Sequence, residues 1–249
     1  MRMRALLISA MVVLAAVVIG CPDSGPKLPP MSLEFDFRDG EGGWEAGFAE
    51  YAPDMEETMQ LEAGIRPLPS ELEMEGTGFY VKGNNSSDDL FMFLKRRLGA
   101  DDGLTAGQEY RVEFTIVFAS NAPSGAAGIG GAPGESVFLK AGACAVEPEA
   151  HLDPAMDYYL MNVDKGEGNS GEGPAATVAG NIANGLPAEE VDPGEAPYVS
   201  VERSHVHTYS VTAGPEGELW LLVGTDSGFE GLTAIYYQCI EVTLTPVSS

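Results

Sequence analysis

Basic residues are scarce in this chain of 249 residues: 13 Lys and Arg stand against 38 Asp and Glu, a formal net charge of −25. That balance argues against nucleic acid as a partner, because such binding rests on neutralising phosphates with Lys and Arg. It equally disfavours lying flat on an anionic bilayer, while divalent cations, saline surroundings and simple solubility remain compatible with it. Cysteine is nearly absent, at Cys21, Cys144 and Cys239, which allows at most one disulfide. No amphipathic helix of three turns is evident; Asp54 to Ala63 is the stretch able to hold a short one. Catalytic signatures are missing as well. There is no Gly-x-Ser-x-Gly elbow, no EF-hand spacing, no cysteine pair or second histidine cluster for a metal enzyme, and no convincing internal repeat.

What is present begins with Met1-Arg2-Met3-Arg4, a mostly apolar run from Ala5 to Ile19, then Gly20-Cys21 and the polar, proline-rich Pro22-Asp23-Ser24-Gly25-Pro26. A basic end, a short apolar core and a small residue at the cut are the parts of a secretory signal peptide. The run is short for a transmembrane helix, which wants roughly 20 apolar residues. Val18-Ile19-Gly20-Cys21 resembles the lipobox of bacterial lipoproteins. The resemblance implies cleavage between Gly20 and Cys21, a diacylglyceryl thioether on Cys21, and an acylated new amino end. The alternative is an ordinary signal peptide whose apolar core happens to end near a cysteine. Proline at position 22, where an inner-membrane retention signal would have aspartate, points to the outer membrane or cell surface. The expected organisation is a signal peptide over 1–20, a lipidated proline-rich tether over 21–31 and a single β-sandwich domain over 32–249. Loss of residues 1–20, with their two arginines and no acid, takes the net charge to −27.

The body reads as strands and turns. Tyr110, Val112, Phe114, Ile116 and Phe118 alternate with Arg111, Glu113 and Thr115, a period of two that marks a half-buried strand. Leu33, Phe35 and Phe37 alternate likewise, and similar signals occur at 79–82, 90–94, 136–141, 158–163, 206–212, 218–224 and 233–245. With 31 glycines and 17 prolines between them, these strands predict an all-β sandwich or barrel. Two long connections, roughly 45–75 and 164–198, are expected to be functional, disordered or draped over a sheet. Within the last strand, Cys239 shares parity with Glu241 and Thr243, opposite Tyr236, Ile240, Val242 and Leu244. With Cys21 given to lipid, a Cys144–Cys239 bridge is the one pairing left, and the exported compartment permits it; two free thiols are the alternative.

Phe35-Asp36-Phe37-Arg38-Asp39-Gly40-Glu41-Gly42-Gly43-Trp44 is similar to the first strand and turn of galactose-binding-like carbohydrate-binding modules, which are jelly rolls. So are Leu219-Trp220-Leu221-Leu222-Val223-Gly224 and Ile235-Tyr236-Tyr237 running into Ile240-Glu241-Val242-Thr243-Leu244. The resemblance covers both ends of residues 32–246. It implies a jelly-roll β-sandwich with a binding role. Gln238-Cys239 stands where that group often has aspartate, so the resemblance carries no calcium ligand to that point.

Several local patterns invite chemistry. Gly128 to Gly134 looks like a nucleotide loop, but Pro133 takes the sixth position of a GxGxxG, no Gly-Lys-Ser/Thr follows, and Ser136-Val137-Phe138-Leu139 reads as strand; a β-hairpin turn is expected. Asp226-Ser227-Gly228 echoes a serine-protease nucleophile, yet His151 lacks the context of a triad partner. His205 and His207, two apart in a strand, share a face and the spacing to chelate zinc or copper; two surface histidines are the bland alternative. Asn84-Asn85-Ser86-Ser87-Asp88-Asp89 offers amides, hydroxyls and carboxylates suited to calcium or to sugar hydroxyls, with Asp88 and Asp89 as the metal candidates. Sugar recognition pairs aromatic faces with directional hydrogen bonds. The candidate ligand residues are therefore Trp44, Tyr51, Asn84, Asn85, Asp88, Asp226 and Glu230, with Trp220 assigned to the core. The expected protein is a non-catalytic envelope lipoprotein that binds a glycan or similar extracellular ligand. The alternatives are a structural lipoprotein holding an envelope protein partner and, below it, a glycan-acting hydrolase.

Overall fold

A computed structural model describes residues 28–86, 89–192 and 194–248. Cys21 and most of the tether lie outside the described residues, as does Asp88. Within them the strands are β1 (Met31–Asp36), β2 (Glu45–Ala49), β3 (Glu62–Pro67), β4 (Thr77–Asn84), β5 (Phe91–Leu98), β6 (Glu109–Ser120), β7 (Val137–Cys144), β8 (Ala150–Asp153), β9 (Tyr158–Met161), β10 (Thr177–Asn181), β11 (Val199–Val206), β12 (Val211–Thr212), β13 (Leu219–Ser227) and β14 (Leu232–Pro246). One four-residue helix, α1 (Glu56–Met59), sits inside the predicted helical stretch. No described helix is long and apolar enough to cross a membrane.

Two antiparallel sheets face each other as a β-sandwich of jelly-roll type. The larger has the order β11-β6-β14-β4-β3, with β1 also paired to β14 and β12 to β6; the smaller has β10-β7-β13-β5-β2; β8 and β9 form a separate hairpin. The chain changes sheet between β1 and β2, β2 and β3, β4 and β5, β5 and β6, β6 and β7, β10 and β11, β12 and β13, and β13 and β14. The Gly128–Gly134 segment is thus a crossover between sheets, not the expected hairpin turn.

The inner faces interlock as alternation requires. Val112, Phe114, Ile116 and Phe118 of β6 meet Leu219, Leu221 and Val223 of β13 and Val137, Leu139 and Ala141 of β7. The smaller sheet is buried on its other face too. Residues from Ala150 to Ala176 fold over it, closing a second apolar cluster from Ala49, Phe91, Phe93, Ala175, Ala176 and Leu222. Strands buried on both faces lose alternation, which is why Leu90-Phe91-Met92-Phe93-Leu94 and Leu221-Leu222-Val223 are unbroken apolar runs. Trp220, expected in the core, is instead half-buried on the outer side of β13, with Lys95 Nζ 5.5 Å over its ring.

The segments expected as long connections contain β2, β3 and β10. The strand expected over 206–212 instead starts at Val199 and pairs with β6 from Val199↔Ser120 to Val206↔Glu113. In β14 the register slips between Tyr237 and Cys239. That β-bulge reverses the parity: Tyr237 points into the core, 1% exposed, and Tyr236 points outward. The expected disulfide is absent, for Cys144 and Cys239 are free thiols. Cys144 faces outward from one sheet and Cys239 outward from the other, with the core between them.

Candidate functional site

The bulge in β14 builds an aromatic face on the outside of the larger sheet. Tyr236 lies directly across from Tyr80 on β4, their ring centroids 4.7 Å apart, and Tyr198 meets Tyr236 edge-on at 5.3 Å. The flanking positions in the same row are small: Gly64 opposite Tyr80 and Ala119 opposite Tyr236. The Arg66 guanidinium stacks 4.3 Å over the Tyr80 ring and donates to Glu62, 2.6 Å away. Lys82 donates to the same carboxylate at 2.8 Å, which holds Glu62 below its ordinary value. Ser200 donates to Gln238 at 2.6 Å beside the rings. Tyr198 and Tyr236 are half-buried, and burial raises the phenols of Tyr80, Tyr198 and Tyr236. Rings bordered by charged and amide groups offer both stacking and directional hydrogen bonds.

The residues singled out from sequence are dispersed. Trp44 is 1% exposed, packed edge-on against Phe35 and Phe37, and has no free face. Tyr51 is buried against Tyr159, with centroids 5.0 Å apart, and burial pushes its phenol up to about 12. Asn84 donates to the Thr58 carbonyl at 3.2 Å. The buried Asn85 side chain donates to the carbonyls of Ser227 at 2.8 Å and Phe229 at 3.1 Å, clamping the β13–β14 turn. Glu230 belongs to that turn and bridges to Ile129. Asn85, Asp89, Asp226 and Glu230 therefore gather at one end of the sandwich, without Trp44.

Asp226 is wholly buried at the centre of a charge cluster under the covering layer. Its Oδ2 lies 2.8 Å from Lys140 Nζ and 2.6 Å from Lys165 Nζ. Lys165 also contacts Glu50 at 2.7 Å. Glu50 takes a positive φ of 67°, uncommon for a residue with a side chain, at the point where β2 passes on to Tyr51. Asn169 donates to Asp89 at 2.8 Å and reaches Asp226 Oδ1 at 3.5 Å. Lys140 further donates to the carbonyls of Lys165 at 3.1 Å and Gly168 at 3.3 Å. Burial first, then the Asp226 and Glu50 charges, push Asp89 up to about 9. Burial lowers Lys140. It also pulls Lys165 down, but the adjoining Asp226 and Glu50 carboxylates prevail and raise it. Glu50, Asp89 and Asp226 each place an oxygen within 4.8 Å of the others. Two ammonium groups already contact those carboxylates, so this donor set does not fit a calcium ion: its counter-charge is built in.

His205 and His207 both hydrogen-bond Thr177 Oγ1, at 2.7 and 2.9 Å, and His207 Nε2 lies 3.1 Å from the Pro174 carbonyl oxygen. Among the described residues, neither joins a grouping of metal-ligand atoms. Loops at the same end as Asn85 enclose a cavity of about 530 Å³ lined by residues such as Ala122, Pro123, Ile182 and Phe229.

The tyrosine face was hidden in the sequence because its parity depends on the bulge, and only the paired Tyr236-Tyr237 hinted at it. Glu50, Lys140 and Lys165 were missed because no local spacing links them.

No known family profile matches this chain, and no curated protein matches it. Solved structures give loose matches. A β-sandwich carbohydrate-binding module of promiscuous specificity is 12% identical at a TM-score of 0.36, over 82% of this chain and 58% of the module's own length. A carbohydrate-binding module specific for non-crystalline cellulose is 11% identical at 0.34, over 87% and 93% of the two chains. The K3 cleaved adhesin domain of Lys-gingipain from Porphyromonas gingivalis W83 is 10% identical at 0.38, over 86% and 98%. Scores this low assign no function.

Proposed function

We propose that this protein is an exported, lipid-anchored, non-catalytic lipoprotein whose sandwich, a single domain over residues 32–249, binds an extracellular carbohydrate on the tyrosine face of the larger sheet. The observation that carries the reading is the Tyr80–Tyr236–Tyr198 cluster bordered by Arg66, Glu62 and Lys82. Apolar sugar faces stack on such rings while hydroxyls pair with the charged rim. Anchoring through Cys21 rests on the lipobox-like Val18-Ile19-Gly20-Cys21, and placement at the outer membrane or cell surface rests on Pro22. The net charge of −27 left after loss of residues 1–20, with their two arginines and no acid, suits a soluble body held off an anionic membrane by its tether.

A glycan array probed with residues 31–249, with and without calcium, tests the reading. Binding that disappears in Tyr236→Ala supports it; silence in both conditions overturns it. A protein partner is the second reading, favoured by Ile129 and Leu232, 70% and 54% exposed at the loop end. Retention of an envelope protein that is lost in Ile129→Asp, alongside a silent array, would select that reading.

A further inference from the structure

We propose that Lys140 and Asp226 become joined by an amide bond from Nζ to Cγ, a covalent cross-link between β7 and β13. It is independent of the ligand. The two residues are diagonal neighbours on adjacent strands, since Lys140 pairs with Gly224, and both side chains are 0% exposed with Nζ 2.8 Å from Oδ2. Contact at this range, held rigidly by two strands, is the geometry from which intramolecular reactions gain most.

The surroundings supply each part of a condensation. Transfer of one proton from the Lys140 ammonium to Oδ1 of Asp226 turns the ion pair into an amine and an acid whose carbonyl oxygen is Oδ2. Two N–H bonds of that amine are held by the carbonyls of Lys165 and Gly168, which leaves the lone pair directed at Asp226. A lysine desolvated in this way is an activated nucleophile. Its attack forms the N–Cγ bond and moves the C=O electron pair onto oxygen, where the Lys165 ammonium, 2.6 Å from Oδ2, stabilises the charge. Asp89 hydrogen-bonds Asp226 and retains its proton by burial. It gives that proton to the departing hydroxyl and takes one from the nitrogen. The C–O bond breaks, one water leaves, and nothing is oxidised or reduced.

The test is a tryptic digest of the purified, denatured full chain, read by tandem mass spectrometry. The expected result is no cleavage after Lys140 and a species joining residues 112–165 to 204–249, one water lighter than the two peptides, with fragments placing the link on Lys140 and Asp226. Normal cleavage at Lys140 with an unmodified 204–249 peptide overturns the proposal. So does loss of water within 204–249 alone, which reports a succinimide at Asp226-Ser227, and so does a link from Lys165. In Asp89→Asn, with folding checked by circular dichroism, the linked fraction should fall at least tenfold; complete linkage there removes Asp89 from the reaction.

Discussion

Gly142 and Ala175 meet backbone to backbone: a Cβ on Gly142 would fall 2.3 Å from the Ala175 carbonyl oxygen and 2.8 Å from the Ala176 Cα. The covering layer seats against the smaller sheet because β7 presents hydrogen there. Gly224 repeats the device one strand away, where a Cβ would fall 2.8 Å from the Phe91 ring. Gly142→Ala must push backbone away, since no flexible side chain can yield. Overpacking of this kind costs about 1–3 kcal/mol. Urea unfolding of the variant should show that loss, together with earlier proteolysis between Ala150 and Ala176. An unchanged midpoint would mean that the layer does not rest on β7.

Tyr236 and Trp44 separate binding from stability. Tyr236 is half-buried on an outer face, whereas Trp44 fills the core with Phe35 and Phe37. Tyr236→Ala should abolish glycan binding while moving the unfolding midpoint little. Trp44→Ala should lower stability by about 3–5 kcal/mol, the usual range for a buried aromatic. Isothermal titration on the first and denaturant melts on both would check this. A Tyr236→Ala protein that still binds its glycan would place the site elsewhere.

The contrast between these two aromatics shows what a linear pattern can carry. Alternation in β6 is strict and was readable, because one face of the strand is core and the other is polar. β2 and β10 are five residues each, with glycines at Gly47 and Gly180, too short and too interrupted for a period to register. In β14 one inserted residue moved Tyr236 from the expected inner face to the outer one, and sequence alone does not mark where a strand bulges. The buried cluster was illegible for another reason. Glu50, Asp89, Lys140, Lys165 and Asp226 come from five separated segments, and in a chain with 38 acids no single carboxylate announces a partner. Asn85 was picked out as a ligand group, but its amide is spent on the carbonyls of Ser227 and Phe229.

His205 and His207 give the fold an acid limit. Burial lowers both from the ordinary 6.5, and both hydrogen-bond Thr177. Their folded-state values lie below the unfolded ones, so the unfolded chain binds more protons as pH falls beneath about 6.5. Stability due to these two neutral rings is therefore complete above that pH and is lost on acidification through the depressed folded values. Thermal melts from pH 8 to pH 5 should show the decline, and His205→Gln/His207→Gln should flatten it. A double variant with an unchanged slope would assign the acid sensitivity to other groups.

The free thiols report on both faces of the sandwich and on Cys21 at once. Burial pushes Cys144 up to about 12 and Cys239 up to about 11, so both are protonated at neutral pH, and the thiolate is the reactive form. Cys144 also donates to the Val146 carbonyl at 3.1 Å. Membrane-extracted protein at pH 7.5 should label slowly with a maleimide while folded. After unfolding in urea without reductant it should take two labels, at Cys144 and Cys239, because a thioether on Cys21 has no thiol to offer. A third label, on Cys21, would show that the chain is not lipidated. Absence of label until reductant is added would show that Cys144 and Cys239 had paired, which their positions on opposite outer faces forbid within one folded chain.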